Sequence, residues 1–426
     1  MKQYLTTLVG KTIQSIMGFT KSGGQALPGL IIERLNPGYL ATSLVKLPEG
    51  VVVITGTNGK TTTAKMVVEL LRAEGKKVIN NSTGSNLTRG IVSGLLKHST
   101  WSGRLDYDIA VLEIDEAFAK KFVELVKPEW VVALNVTRDQ LDRFGEVDKV
   151  AELVGATMRA ATKGLITNSN DPLLSKIAEE VAVQNRVSVN YFGVASDLLH
   201  YFPSDKDLVS VGTIDNSAID NLTTPLVELT AFNKQNVSYK IANRTYPIEL
   251  KIIGQHNFQN AAAALALLIE LLPDTPLETH IKNLGEVTVA FGRGEVFKLK
   301  YGSQLQLVLV KNPASFRQSL ASYIKNNPSV IIAINDNYAD SRDVSWLWDV
   351  DFSSLKNIKV VATTGSRAAD MALRLQYDDI KVGLVEPSLT KALEALSKQS
   401  GDKIILSTYT AMLEYYSLLS KKSGKL

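Results

Sequence analysis

The stretch VVVITGTNGKTTTAKMVVELL, residues 51–71, carries the clearest chemistry in the chain. Apolar β-forming residues lead into a glycine turn, and a helix-forming segment follows. Gly56 and Gly59 let the backbone bend and come close to a phosphate. The amides from Asn58 to Thr62 fall at a helix N-terminus, where the peptide dipoles favour an anion. Lys60 is placed to reach the β- and γ-phosphates of a nucleotide, and the Thr61 hydroxyl to ligate Mg2+. Thr57, Asn58, Gly59 and Thr62 complete the expected cradle. The longer pattern G-x-x-x-x-G-K-[ST] asks for glycine at position 54, where the chain has Ile54, so the loop is a shorter variant.

Acids come next. AVLEIDE places Glu113 and Asp115 at the C-terminal end of a strand, the edge that faces ligand in an open α/β sheet. Glu113 is a candidate Mg2+ ligand facing Thr61, and read alone it is also an ordinary solvated strand-end acid. Asn135, Asp139, Asp142 and Arg143 in NVTRDQLDRFGEV follow a further strand and could line the same cleft, although DQLD also makes a helix start. His256, Asn257 and Asn260 open the helix of GQHNFQNAAAA. Asn257 and Asn260 share a helix face, where two amides could read an adenine edge or simply cap. Arg293 in AFGRGEVF suits a γ-phosphate clamp that closes with domain motion, or an interdomain salt bridge. Asp343 in SRDVSW reads by itself as a cap beside Trp346.

Positioning these residues takes an alternating scaffold. Strand-like runs (VVVIT, KKVINN, DIAVLEID, PEWVVALNV, KGLITNSND) alternate with helical ones, the mark of a parallel sheet covered on both faces. The expected class is α/β. A helical lead-in occupies residues 1–48 and an ATP-binding domain 49–295, with an antiparallel β insertion over about 197–250. A smaller Rossmann-like domain follows at 296–426. The lead-in begins with an amphipathic segment whose Leu5, Leu8, Ile13, Ile16 and Met17 recur at helical spacing. It is a poor signal peptide and reads as a helix packed on the main domain, with a membrane-surface contact as the sharper alternative.

Composition closes off several classes. In 426 residues, 45% are hydrophobic and 21% charged, which suits a chain of two or three globular domains. The absence of cysteine excludes disulfides, a thiol nucleophile and cysteine-held zinc. A net charge of +4 without a long basic run gives no nucleic-acid footprint, and no apolar run reaches transmembrane length.

The order GTNGKTTT, EID, NVTRDQLDRFGE, NSND, HNFQNAAAA and GR-x-E resembles the Mur ligase family, and the resemblance extends over nearly the whole chain. Within that family, KNPASF, NDNYADSRDVSWLWDVDF and TGSRAADMALRL are similar to the synthetase subunits that amidate lipid II. The resemblance implies a bacterial, cytoplasmic ligase working at the inner face of the membrane. It would use ATP and Mg2+ to activate the D-glutamate α-carboxylate of the lipid II stem peptide as an acyl phosphate. Ammonia would come from a separate glutaminase subunit, and the lack of cysteine here fits that division. By the same carry-over, Lys60 and Thr61 match the phosphate lysine and the Mg2+-binding threonine, and Glu113 the Mg2+-binding glutamate. Asn257 and Asn260 match the adenine-side asparagines and Arg293 the junction arginine. Asp343 matches the aspartate that completes the partner's Cys–His–Asp triad.

Three departures stand out. Residues 200–245 lack the four-cysteine zinc ribbon common in these subunits, so a metal-free insertion and no zinc are expected. Gln140 replaces the usual loop histidine. LVKNP stands where D-Y-A-H-N-P is common, which removes the ribose-side acid and leaves the third domain's nucleotide contacts open. An amino-acid-adding Mur or folylpolyglutamate-type ligase, and an ATP-binding regulator that forms no bond, remain the competing readings.

Overall fold

The computed structural model describes residues 2–20, 27–81, 88–137, 147–202, 224–288, 293–298 and 303–423. Three helices lead in: α1 (Lys2–Thr20), α2 (Leu27–Leu35) and α3 (Tyr39–Leu44). The alternating run follows as β1 (Val51–Thr55), α4 (Lys60–Ala73), β2 (Val78–Asn80), α5 (Thr88–His98), β3 (Ile109–Glu113), α6 (Glu116–Leu125) and β4 (Trp130–Ala133). It continues through α7 (Val147–Met158), β5 (Gly164–Asn168), α8 (Pro172–Asn185) and β6 (Ser188–Val194). Strands β7 (Val227–Asn233), β8 (Asn236–Ile241) and β9 (Arg244–Glu249) precede α9 (Gln255–Leu271) and α10 (Leu277–Glu286).

These strands form one sheet in the order β2-β3-β1-β4-β5-β6-β7-β8-β9. Neighbours from β2 to β7 run parallel, and β7, β8 and β9 are antiparallel to one another. The Thr- and Asn-rich stretch thus does not stand apart. Phe192 pairs with Val227, so the hairpins extend the main sheet. Central strands are buried on both faces, which is why β1 reads as an unbroken apolar run. Val52 and Ile54 face α4 and α9, where the alanine run of α9 lets the helix pack close to the sheet. Val51 and Val53 face the layer of Ile32, Leu40, Leu95 and Phe122.

A second sheet is built from β10 (Arg293–Lys298), β11 (Gln304–Leu309), β12 (Ser329–Ala333), β13 (Lys359–Thr364), β14 (Val382–Glu386) and β15 (Lys403–Ser407). Its order is β10-β11-β15-β12-β13-β14, antiparallel only at β10–β11. Its helices are α11 (Pro313–Tyr323), α12 (Ala368–Tyr377), α13 (Leu389–Ser397) and α14 (Tyr409–Ser423). Arg293 already pairs with Val308, so the strand that opens this sheet starts at the glycine-flanked arginine itself.

Helix α1 packs on the main body, but its apolar spacing is split, with Ile13 and Met17 half-buried and the other three residues turned outward. Thr6, Thr7 and Gly10 are buried, whereas Leu5, Leu8 and Ile16 are exposed. Close approach is the reason. A Cβ on Gly10 would lie 2.6 Å from Leu96 Cδ2, and the Thr7 hydroxyl meets Tyr39 Oη at 3.2 Å.

Candidate nucleotide-binding site

β1 lies between β3 and β4, with α4 on one face of the sheet and α6 on the other. The chain therefore reverses direction at the C-terminal ends of these strands, which opens a crevice there. The glycine loop fills the floor of that crevice. Gly56 has φ 121°, and a Cβ there would press on the Asn135 backbone at 3.0 Å. Gly59, the residue before α4, has φ 90°, and its Cβ would meet Asn260 Oδ1 at 2.3 Å. Only glycine satisfies both the backbone and the space at these two positions.

Asn135 borders the crevice and also holds the loop. Its backbone O accepts from Thr57 N at 2.9 Å, its Oδ1 accepts from Asn58 N at 2.9 Å, and its Nδ2 donates to Asn58 O at 3.0 Å. Thr57 Oγ1 donates to Thr137 O at 3.2 Å and accepts from Thr137 N at 3.1 Å. Asp139, Gln140, Asp142 and Arg143 lie outside the described residues.

Lys60 is buried, and its Nζ folds back over the loop. It donates to Gly56 O at 2.5 Å, Thr57 O at 3.3 Å and Glu116 Oε1 at 2.5 Å. Burial by itself would lower the Lys60 ammonium. The carboxylates of Glu116, Asp115 and Glu113 outweigh that and hold it above the ordinary lysine range. Burial pushes the Glu116 carboxyl up, opposed by Lys60 and Lys311. Glu116 opens α6, and Asp115 caps that helix by accepting from Ala117 N at 3.1 Å. Glu116 escapes sequence reasoning because its only local signal, an acid in a helix's first turn, is commonplace.

Thr61 Oγ1 donates to Glu113 Oε1 at 3.0 Å. Glu113 is fixed from the neighbouring strand: its N donates to Asn81 Oδ1 at 2.9 Å and its O accepts from Asn81 Nδ2 at 2.7 Å. A hydroxyl and a carboxylate oxygen thus meet beside Lys60 at the mouth of the loop. This is a hard-oxygen pair of the kind Mg2+ takes, leaving the rest of its shell to water and phosphate.

The second sheet closes the crevice from above. Lys311, just past β11, donates from Nζ to Thr57 O at 2.9 Å, and Asn312 Nδ2 donates to Asn58 Oδ1 at 3.1 Å. Asn312 also caps α11, accepting from Ser315 N at 2.8 Å, while Ser315 Oγ accepts from Lys311 N and Asn312 N. A rigid capping box therefore presents Lys311 and Asn312 to the loop. LVKNP, the stretch that lacks the ribose-side acid, is the one that touches the phosphate loop.

Between the two sheets lies a cleft. Asn58, Gly59, Thr62 and Asn260 line one wall, and Leu309, Ser315, Gln318 and Tyr323 the other. Asn260 borders this space and leans over Gly59. Asn257 does not join it, since its Nδ2 turns to Ile253 O at 2.7 Å and it is almost fully buried. The backbone of Arg293 is in β10, and its side chain lies outside the description. Asp343 is not part of the cleft. Its Oδ1 accepts from Ser345 N at 2.8 Å at the start of the Ser345–Asp349 turn, beside buried Trp346. Its loop is fastened by buried Asp340, which accepts from Thr410 N at 2.7 Å and Thr410 Oγ1 at 2.5 Å.

Comparison with known proteins agrees with this architecture. The Mur ligase middle domain model matches residues 54–268, and the MurT ligase C-terminal model matches residues 309–412. The lipid II isoglutaminyl synthase (glutamine-hydrolyzing) subunit MurT of Staphylococcus aureus (strain COL) is 30% identical, over 97% of this chain and 96% of its own. The subunit of the same name from Streptococcus pneumoniae (strain ATCC BAA-255 / R6) is 29% identical, over 99% and 98%. Among solved structures, MurF from Acinetobacter baumannii superposes with a TM-score of 0.69 at 18% identity, covering 93% of this chain and 80% of that one. MurF from Thermotoga maritima in complex with ADP gives 0.66 at 17% identity, covering 93% and 84%. At those identities the solved structures speak for the fold, while the sequence matches span both sheets: the chain belongs to the Mur ligase family, in its MurT branch.

Proposed function

We propose that this chain is the synthetase subunit of a lipid II-amidating enzyme, converting the D-glutamate α-carboxylate of the stem peptide to D-isoglutamine. The observation that carries the reading is the loop at the end of β1, where Lys60, Thr61 and Glu113 converge under a cleft closed by the second sheet. ATP is the cosubstrate. The α4 N-terminus and Lys60 would hold its phosphates, with Asn260 beside the cleft and Arg293 at the junction. Thr61 and Glu113 would hold Mg2+, which neutralises charge on the transferred phosphate.

In the first step a carboxylate oxygen of the substrate takes the γ-phosphoryl group, the bond to the bridging oxygen breaks, and ADP leaves. In the second step ammonia forms a C–N bond at the acyl carbon. The C–O bond to phosphate breaks, inorganic phosphate leaves, and the new amide loses a proton. The ammonia comes from a GatD-like glutaminase partner, since a chain without cysteine has no thiol nucleophile for glutamine. Asp343 would complete the partner's triad by orienting its histidine. The reading places the subunit at the cytoplasmic face of the membrane.

The test is incubation of the chain with lipid II, ATP, Mg2+ and ammonium, without partner, followed by mass spectrometry for exchange of a hydroxyl by an amino group. Product should form, and Lys60→Ala should abolish it. Asp343→Asn should leave this ammonium-driven reaction intact while slowing glutamine hydrolysis in the reconstituted complex. Unimpaired amidation by Lys60→Ala sinks the site, and unimpaired glutamine use by Asp343→Asn sinks the triad.

A further inference from the structure

We propose that the outward face of α1 is a docking surface for an anionic lipid bilayer. The helix is turned inside out relative to a solvated surface helix. Its buried positions are Thr6, Thr7 and Gly10, while Leu5, Leu8, Val9 and Ile16 face solvent, with Leu5 53% and Ile16 59% exposed. At 100° per residue these four fall within roughly one third of the helix circumference, an apolar stripe broken only by Thr12, whose hydroxyl donates back to Leu8 O. The orientation is fixed by bonds from the other face: Gln14 Nε2 donates to Ser93 O at 2.7 Å, Gln3 Nε2 to Ser43 Oγ at 3.2 Å, and Thr7 meets Tyr39. Rotating the stripe inward would drive larger side chains into the space that admits only Gly10.

What surrounds the stripe identifies its occupant. α1 contains lysines and no aspartate or glutamate. Lys11 lies beside the stripe, and at the N-terminal end of the helix, on its packed side, Lys46 Nζ donates to Gln3 Oε1 at 2.6 Å. Beside its middle, the turn around Gly103 packs on Thr7 and carries Trp101, 55% exposed, with Lys11 Nζ 5.7 Å from its ring centroid. Apolar side chains bordered by Lys11 and an exposed tryptophan match the layered chemistry of a bilayer surface: acyl chains, an aromatic-friendly interface and anionic headgroups. A second copy fits less well. A two-fold contact pairs the patch with itself and brings Lys11 and Lys46 of both chains together, with no α1 carboxylate to offset them. Among the described residues no helix is long and apolar enough to cross a membrane, so the contact is interfacial. The proposal does not rest on the amidation reading.

The experiment is co-sedimentation of the full chain with phosphatidylcholine vesicles, with and without phosphatidylglycerol. Wild type should pellet with the anionic vesicles, less so as salt is raised. Leu5→Glu combined with Ile16→Glu should lower partitioning by about tenfold or more. Both positions are exposed, so the variant should melt with wild type. Lys11→Glu with Lys46→Glu provides an independent variant that leaves the apolar stripe intact and should weaken binding to anionic vesicles alone. Trp101 fluorescence should shift to the blue on binding, and Trp101→Phe should remove the shift. Wild type remaining in the supernatant, or pelleting of the Leu5/Ile16 variant equal to wild type, overturns the proposal. A concentration-dependent dimer in light scattering, abolished by the same pair without vesicles, overturns it in favour of self-association.

Discussion

Replacing Glu116 by glutamine removes one charge from a buried pair and keeps the shape. Lys60 and Glu116 are 8% and 3% exposed, and their contact is 2.5 Å. Breaking a buried pair on one side costs about 3–5 kcal/mol, because the other charge stays desolvated. Here the lower end applies, about 3 kcal/mol, since Asp115 and Glu113 also act on the ammonium and the Gly56 and Thr57 carbonyls still accept from it. The sign with pH follows. In wild type, Lys60 is held above its ordinary value, so its contribution is complete at neutral pH and is lost only as pH rises through that raised value. In Glu116→Gln the main opposing carboxylate is gone and burial pulls the lysine down. The unfolded chain then binds more protons than the folded one, and stability should recover as pH rises toward the ordinary lysine range. Lys60→Met combined with Glu116→Gln should return to within about 1 kcal/mol of wild type, since neither charge is left stranded. Urea midpoints for wild type and the two variants, from neutral to alkaline pH, are the measurement. A single variant as stable as wild type, or a double variant weaker than the single, refutes the account of the pair.

Gly59→Ala should cost about 1–2 kcal/mol for the left-handed backbone and more for displacing Asn260, with loss of ADP binding in titration calorimetry. Gly75→Ala is the control, with φ 82° and nothing within 4 Å of its Cβ; it should pay only the backbone part. Equal losses in the two variants would mean that Asn260 does not press on the loop. Asn312→Ala should cost about 1 kcal/mol through the lost helix cap and raise KM for ATP, because the same side chain holds Asn58. An unchanged KM separates the cap from the nucleotide site.

The glycine loop was legible because its code is local. Strand, glycine turn and helix start are all written within residues 51–71, and the positive φ of Gly56 and Gly59 is the geometry glycine is there to supply. Glu113 could be placed because a strand-end acid in a parallel sheet has one edge to occupy. Glu116, Lys311 and Asn312 could not. Their contacts with the loop span 56 and 254 residues, and no periodicity or motif spacing encodes a bond of that reach. Asn257 and Asn260 show a finer limit. Spacing of three puts them on one face, yet one seals its own helix start and the other overlooks the cleft. For α1, spacing marked an amphipathic helix but grouped half-buried Ile13 and Met17 with exposed Leu5, Leu8 and Ile16, and did not show which side would pack. Gly10 and the two threonines decided that by allowing the helix to come close, a steric preference invisible to hydrophobic patterning.

These long-range contacts explain how one loop can serve two sheets. Thr57 turns its amide to Asn135 in the first sheet and its carbonyl to two ammonium groups, Lys60 from its own helix and Lys311 from the second sheet. Asn58 is divided in a similar way, its backbone bonded to Asn135 and its side chain shared between Thr137 and Asn312. The loop is therefore a shared part of both halves, and its conformation cannot change without altering bonds to each. Anything that binds the loop and shifts Thr57 or Asn58 must act on the position of β11 and α11. By the reciprocity of linked equilibria, the placement of the second sheet must bias the loop's affinity for that ligand equally. The lysine at the exit of β11 thus gives the second sheet a direct hold on the glycine loop of the first.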